Sequence, residues 1–144
     1  MPAHFCDMNL SPNTQFMCGI LLITVPTIAY GGSFLLRVLS GSMALPLTAF
    51  QKSMFRAGHA HAGVLVLLAL IVQPLIDAVH YQTAMEWFLR GAFGGAALLV
   101  SGGFFAAAGH KNAEKPNKWI ALLWGGALLL SAALVTLGLG LLLN

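Results

Sequence analysis

Two histidines at the start of a long apolar stretch, His59 and His61, are the residues of this chain that are best suited to chemistry. Histidines are rare at membrane depth, so each is a functional hypothesis and a candidate metal ligand. Side chains two positions apart on an α-helix point about 200° away from each other. We therefore expect the two histidines to have different roles, because they cannot bind one metal ion through a single helical face.

Polar residues follow His59 along one face of the predicted helix, in steps of three and four residues. The same steps of three and four residues from His61 meet almost only apolar residues. Polar side chains inside a membrane face the bundle interior, so His59 is expected to face inward and His61 to lie near the headgroups or against another helix. A buried histidine hydrogen-bonded to a backbone carbonyl or to Tyr30 is an equally good interpretation of His59. The polar stripe consists of Lys52, Arg56, His59, Gln73 and Asp77.

A third histidine, His110, ends the third apolar stretch on the same side of the membrane as His59. Two imidazoles from facing helices are the axial ligands of a six-coordinate haem iron. Arg37 and Arg56 are expected at the same interface. Their guanidinium groups can pair with lipid phosphates, which is the favoured interpretation, or with haem propionates. The pattern predicts a pocket for haem b or another anionic ligand, built from His59, His110, Arg56 and Arg37. Ordinary capping of a helix end is the alternative role of His110.

Few other residues suggest catalysis. Glu86 and Arg90 form an i, i+4 pair that is most simply a surface salt bridge. The sequence has no P-loop, no GxSxG or HExxH motif and no span with paired carboxylates, which argues against a self-contained enzyme. Three functions stay open: an accessory protein that binds haem in a redox or respiratory complex, an oligomeric channel or carrier for a small solute or metal ion, and a structural subunit without a ligand.

The elements that position these residues are predicted to be membrane-spanning helices. The chain has 144 residues, of which 58% are hydrophobic and 8% charged, and its mean hydropathy is +0.84. That leaves too little polar surface for a soluble globule. A hydrocarbon core of about 30 Å requires about 20 residues per helix. We predict one domain of residues 1–144, an all-α integral membrane four-helix bundle of antiparallel up-down-up-down topology, with spans near 17–39, 57–79, 87–108 and 119–143. The second helix is expected to begin earlier than its span, near Leu47, after Pro46.

Basic residues predict the orientation. By the positive-inside rule the side that holds most of them is cytoplasmic, which places both termini outside. Membrane lipids are the expected partners, together with a larger membrane complex or a second copy, whereas nucleic acid is not expected because no soluble basic face exists. Six of the seven basic residues border the first or third loop: Arg37, Lys52, Arg56, Lys111, Lys115 and Lys118.

Small residues and cysteines add two expectations. Gly91 and Gly95 form a GxxxG pair that Gly102 extends along the third helix, which predicts a close approach of another backbone there. Cys6 and Cys18 lie near the same end of the chain, and a disulfide and two free thiols are both open.

Residues 26–37 and 50–63 resemble a family of small, uncharacterised, four-span bacterial membrane proteins. The most specific part of this resemblance is Arg-Ala-Gly-His-Ala-His-Ala-Gly at 56–63. The resemblance implies the four-span architecture and a location in the bacterial inner (cytoplasmic) membrane, and it brings no established activity. More distantly, the His-x-His at the start of a span is similar to haem-binding helices of the haem–copper oxidase and NnrS-like groups.

Overall fold

Four long helices make up the computed structural model, which describes residues 10–143. Each helix is long and apolar enough to cross a membrane, and no strand occurs within the described range. The predicted all-α four-helix bundle is therefore confirmed. The helices are α1 (Pro12–Leu39), α2 (Ala49–Val79), α3 (Thr83–Ala107) and α4 (Ile120–Leu143).

Local capping residues explain where the first two helices begin. The Ser11 hydroxyl accepts a hydrogen bond from the backbone N–H of Thr14 at 3.1 Å, and Pro12 follows at the first helical position. This cap starts α1 before the predicted span near residue 17, because the polar first turn belongs to the helix. Thr48 and Gln51 form a reciprocal capping box that starts α2 close to the predicted Leu47.

Consecutive helices run antiparallel, and α3 lies at the centre between α2 and α4, whereas α1 packs mainly along α2. The Tyr81 hydroxyl, in the α2–α3 turn, donates to the carbonyl of Thr136 near the end of α4 at 2.8 Å. We refer to the end where α1 begins and α2 ends as the Arg90 end. The opposite end, formed by the α1–α2 and α3–α4 connections, is the loop end.

Two glycines let α3 and α4 approach each other closely. A Cβ atom on Gly103 would lie 2.5 Å from the backbone nitrogen of Leu123, and one on Gly126 would lie 2.8 Å from that of Val100. The predicted close approach through Gly91 and Gly102 is wrong, since a Cβ on either would meet no atom within 4 Å. The contact face of α3 is offset from the face that the GxxxG spacing marks.

Cys18 is half-buried in α1. Cys6 lies outside the described residues, so both expectations, a disulfide between Cys6 and Cys18 and two free thiols, stay open.

Candidate functional site

A fully buried arginine, Arg90, joins three helices at the Arg90 end. Its side chain is 0% exposed. The Nε–H donates to Glu86 at 3.0 Å, and one terminal nitrogen donates to the Thr14 hydroxyl at 2.8 Å and to the Gln73 side-chain oxygen at 3.1 Å. The guanidinium thus connects α1, α2 and α3 at one point.

Two carboxylates complete this network. The second terminal nitrogen of Arg90 forms ion pairs with Asp77 and with Glu86, the latter at 2.8 Å. Asp77 also accepts the hydroxyl protons of Ser11 and Thr14, each at 2.8 Å. A buried charge is tolerated when it is paired and its donors are satisfied, as they are here. We therefore assign this network to holding α1 onto α2 and α3.

The prediction of a surface salt bridge between Glu86 and Arg90 is wrong. The two residues do pair, but Arg90 lies on the face of α3 that meets α1 and α2. An i, i+4 spacing identifies a pair without identifying the face that carries it. The position of Arg90 inside the predicted third span was the sequence signal for its burial, because an ionisable group within a span needs partners.

A polar cavity of about 430 Å³ lies beside the network at the same end of the bundle. Its carboxylates, Asp77 and Glu86, are the ones that Arg90 binds. Its lining consists of Ser11, Asn13, Ile76, Asp77, His80, Tyr81 and Glu86.

The structure divides the predicted polar stripe between the two ends of the bundle. Gln73 is 0% exposed, and its amide nitrogen donates to the Ala69 carbonyl at 3.0 Å. Gln73 and Asp77 belong to the Arg90 network, whereas the half-buried His59 packs on α1 near the loop end. A Cβ on Gly32 would lie 2.7 Å from His59 Nε2, so this glycine makes room for the imidazole. Tyr30 is 76% exposed, and no hydrogen bond joins it to His59 within residues 10–143.

His110 lies level with the first turn of α2 and not with His59. The carbonyl of His110 accepts a hydrogen bond from the Gln51 amide at 2.9 Å. Gln51 precedes His59 by eight residues, an axial offset of about 12 Å in a helix. The nearest polar partner of the His110 ring is the Asn117 amide, at 3.5 Å. The structure therefore does not bring the two histidines of the predicted haem pair together.

The remaining predicted site residues lie at the surface. Arg37 and Arg56 are exposed near the loop end. His61 is also exposed, with Nδ1 at 2.8 Å from the Ala57 carbonyl and its ring 4.9 Å from that of Phe104. It thus packs against α3. Within residues 10–143 no three histidine, cysteine or acidic side chains are grouped as metal ligands.

An apolar groove of about 470 Å³ lies between α1 and α3, with α2 as its floor. Residues from Met17 to Ile28 of α1 form one wall, and Ala62 and Val66 form the floor. The other wall is α3, where glycines leave the groove open because they carry no side chains. These glycines are Gly91, Gly94, Gly95 and Gly102.

A single polar group in the groove lacks a partner. The Ser101 side chain is 7% exposed, and its hydroxyl has no hydrogen bond within the described chain. The other hydroxyls in the groove, those of Thr24 and Thr27, donate at 2.6 Å to carbonyls of their own helix. A buried unpaired hydroxyl costs about 1–3 kcal/mol. Sequence reasoning missed Ser101, because a serine among glycines in an apolar helix is ordinary unless the groove beside it is known.

Comparison with protein-family models, with curated proteins and with solved structures finds no match. The helices define a class nevertheless: the chain is a multi-pass membrane protein.

Proposed function

We propose that this protein binds one elongated, membrane-soluble molecule in the groove between α1 and α3, without transforming it chemically. The observation that carries the proposal is the groove itself, which is lined almost wholly by apolar groups and is left open by the glycines of its α3 wall. The unpaired Ser101 hydroxyl is buried beside this wall.

The length and lining of the groove suit an apolar chain. The wall of α3 runs from Gly91 to Gly102, which is about 16 Å of helix. The lining along this length is apolar except for Ser101 and two threonines of α1. One hydrocarbon or isoprenoid chain that lies along the groove would therefore contact apolar groups over its length.

We propose that the protein binds this molecule in the bacterial inner membrane. The resemblance of residues 56–63 supports the location. The cluster of basic residues at the loop end supports a cytoplasmic loop end, with both termini outside. The haem and carrier hypotheses receive less support, because each draws on residues that lie far apart along the bundle, such as His59 with His110 or with Asp77.

Molecules that co-purify with the protein in a mild detergent test the proposal. We expect wild-type protein to retain a single-chain molecule that mass spectrometry of the extract identifies, and Gly102→Leu to lose it, because the new side chain fills the groove. A Cβ on Gly102 meets nothing within 4 Å, so the substitution does not clash with a backbone. Gly125→Leu is the matched control, since Gly125 is equally open on α4 and lies outside the groove. Equal retention by both variants would contradict the proposal.

A further inference from the structure

The first turn of α1 and its cap supply all the side-chain hydrogen bonds between α1 and another helix in the part of the chain that the structure describes. Thr14 donates to Asp77 of α2 and accepts from Arg90 of α3, each at 2.8 Å. Asn13 donates to Glu86 of α3 at 2.9 Å. We call this group of α1 residues the latch, which consists of Ser11, Asn13 and Thr14.

The rest of α1 makes no side-chain hydrogen bond to another helix within residues 10–143. The hydroxyls of Thr24, Thr27 and Ser33 all donate to carbonyls of α1 itself. Only four residues of α1 are buried, against ten of α3. Lipid chains are as apolar as the side chains of a helix, so apolar contacts alone give α1 little preference for the bundle over the lipid. The latch is therefore the contact that specifically holds α1 against α2 and α3.

The opposite end of α1 is attached through the chain itself. Leu35 and Val38 are buried there, and residues 40–48, which form no helix, connect α1 to α2. A helix that is attached at one end and held at the other by a few polar contacts can pivot about the attached end when those contacts break. Such a pivot would carry the α1 wall of the groove, residues 17–28, away from the α3 wall.

We propose that α1 is a hinged wall of the groove, held in place by the latch, and that release of the latch admits the bound molecule from the lipid. The bundle does not depend on the latch for its other contacts, because Arg90 of α3 pairs with Asp77 of α2 and with Glu86 without help from α1. The admission of a molecule rests on the proposed function, whereas the movement of α1 does not.

Distances between spin labels test the movement. Ile23→Cys on α1 and Leu128→Cys on α4 form the first pair, and Val64→Cys on α2 with the same α4 position is the reference pair. All three positions are exposed and lie outside the groove lining. Cys6 and Cys18 are replaced by serine. Double electron–electron resonance in lipid nanodiscs then gives the distribution of each distance.

Thr14→Val removes the hydroxyl and keeps the shape of the side chain. We expect it to raise the ratio of displaced to docked α1 about tenfold, the loss of one charge-assisted hydrogen bond, seen as a longer distance in the first pair only. Thr27→Val is the matched control, because Thr27 is exposed and its hydroxyl bonds to its own helix. An unchanged first distance in Thr14→Val, or an equal change in the reference pair, would overturn the hinged wall.

Release of a probe tests the link to the groove. Protein loaded with a decyl-chain diazirine probe is diluted into an excess of the same molecule without the diazirine and illuminated at intervals. The decay of adducts in residues 91–102 gives the rate of release. We expect this rate to be about tenfold higher in Thr14→Val than in wild-type protein or Thr27→Val, because release follows the population of displaced α1.

The outcomes separate the movement from the binding. Equal release rates despite a longer label distance would overturn the admission of a molecule by the hinged wall and leave groove binding intact. An absence of adducts in wild-type protein, together with an extract that contains no retained molecule, would overturn the proposed function, and the label distances would still decide whether α1 moves.

Discussion

Arg90 of α3 and Asp77 of α2 form an ion pair inside the bundle, and the Asp77 carboxylate also accepts hydrogen bonds from the first turn of α1. The pair therefore holds three helices together at one end. The opposite end is held differently, by Gln51 of α2 donating to carbonyls just beyond the end of α3. The groove between α1 and α3 lies between these two ends.

Removal of the buried charge tests the first fixed end. Arg90→Met leaves Asp77 and Glu86 without their cation in a low-dielectric site, so the free energy of unfolding should fall by about 3–5 kcal/mol. Arg56→Met is the control, because Arg56 is exposed and its loss should change the free energy by about 0.5 kcal/mol or less. Reversible unfolding in detergent measures both. Equal stability of the two variants would show that the network contributes nothing.

Substitution by alanine should change the stability of the protein in opposite directions at two neighbouring glycines of α3. Gly103→Ala places a methyl group against the backbone of Leu123 and should destabilise the protein by about 1–3 kcal/mol. Gly102→Ala meets open space and should stabilise it by up to about 1 kcal/mol, because alanine favours a helix. The shift in Tm measures the sign of each effect. A destabilisation of similar size in both would contradict the packing of α3 on α4.

Gln51 and His110 test the loop end. Gln51 is buried and donates to the carbonyls of Ala108 and His110 at 3.0 and 2.9 Å. Gln51→Ala leaves these acceptors unpaired and should cost about 1–3 kcal/mol. His110→Ala retains the backbone carbonyl and should cost about 0.5 kcal/mol or less. The reverse order of the two costs, measured by unfolding in detergent, would indicate that the imidazole and not the carbonyl makes the essential contact.

The membrane orientation is tested by labelling single cysteines in a chain whose Cys6 and Cys18 are replaced by serine. Ser42→Cys lies in the α1–α2 connection and Gln82→Cys in the α2–α3 turn, and both positions are exposed. Because the basic residues flank the α1–α2 connection, an impermeant thiol reagent should label only Gln82→Cys from outside intact cells. Labelling of Ser42→Cys alone would invert the proposed orientation.

The sequence predicts the fold well, because its determinants are local. Apolar length defines the four helices, Thr48 with Gln51 starts α2, and Gly41, with a φ of +79°, follows the end of α1. The placement of the helices relative to one another depends instead on contacts between residues that are far apart in the sequence. Arg90 was expected at the surface because spacing within α3 does not show which neighbour it faces.

The same limit applies to the candidate site. The position of His110 along the bundle axis depends on the irregular path of the chain after Ala107, and no sequence periodicity describes that path. Ser101 becomes a candidate only when α1 is seen to stand apart from α3, which is a relation between two helices that are not consecutive. Sequence reasoning therefore singled out His59, which is not among the groove residues, and missed the groove.

The most direct test of the groove is photo-cross-linking with a decyl-chain diazirine probe in lipid nanodiscs, followed by mapping of the labelled peptides. We predict saturable adducts in residues 17–28 and 91–102, displaced by an excess of the same molecule without the diazirine, and the loss of these adducts in Gly102→Leu. Adducts spread evenly over the exposed faces of α4 as well, without competition, would contradict a binding groove between α1 and α3.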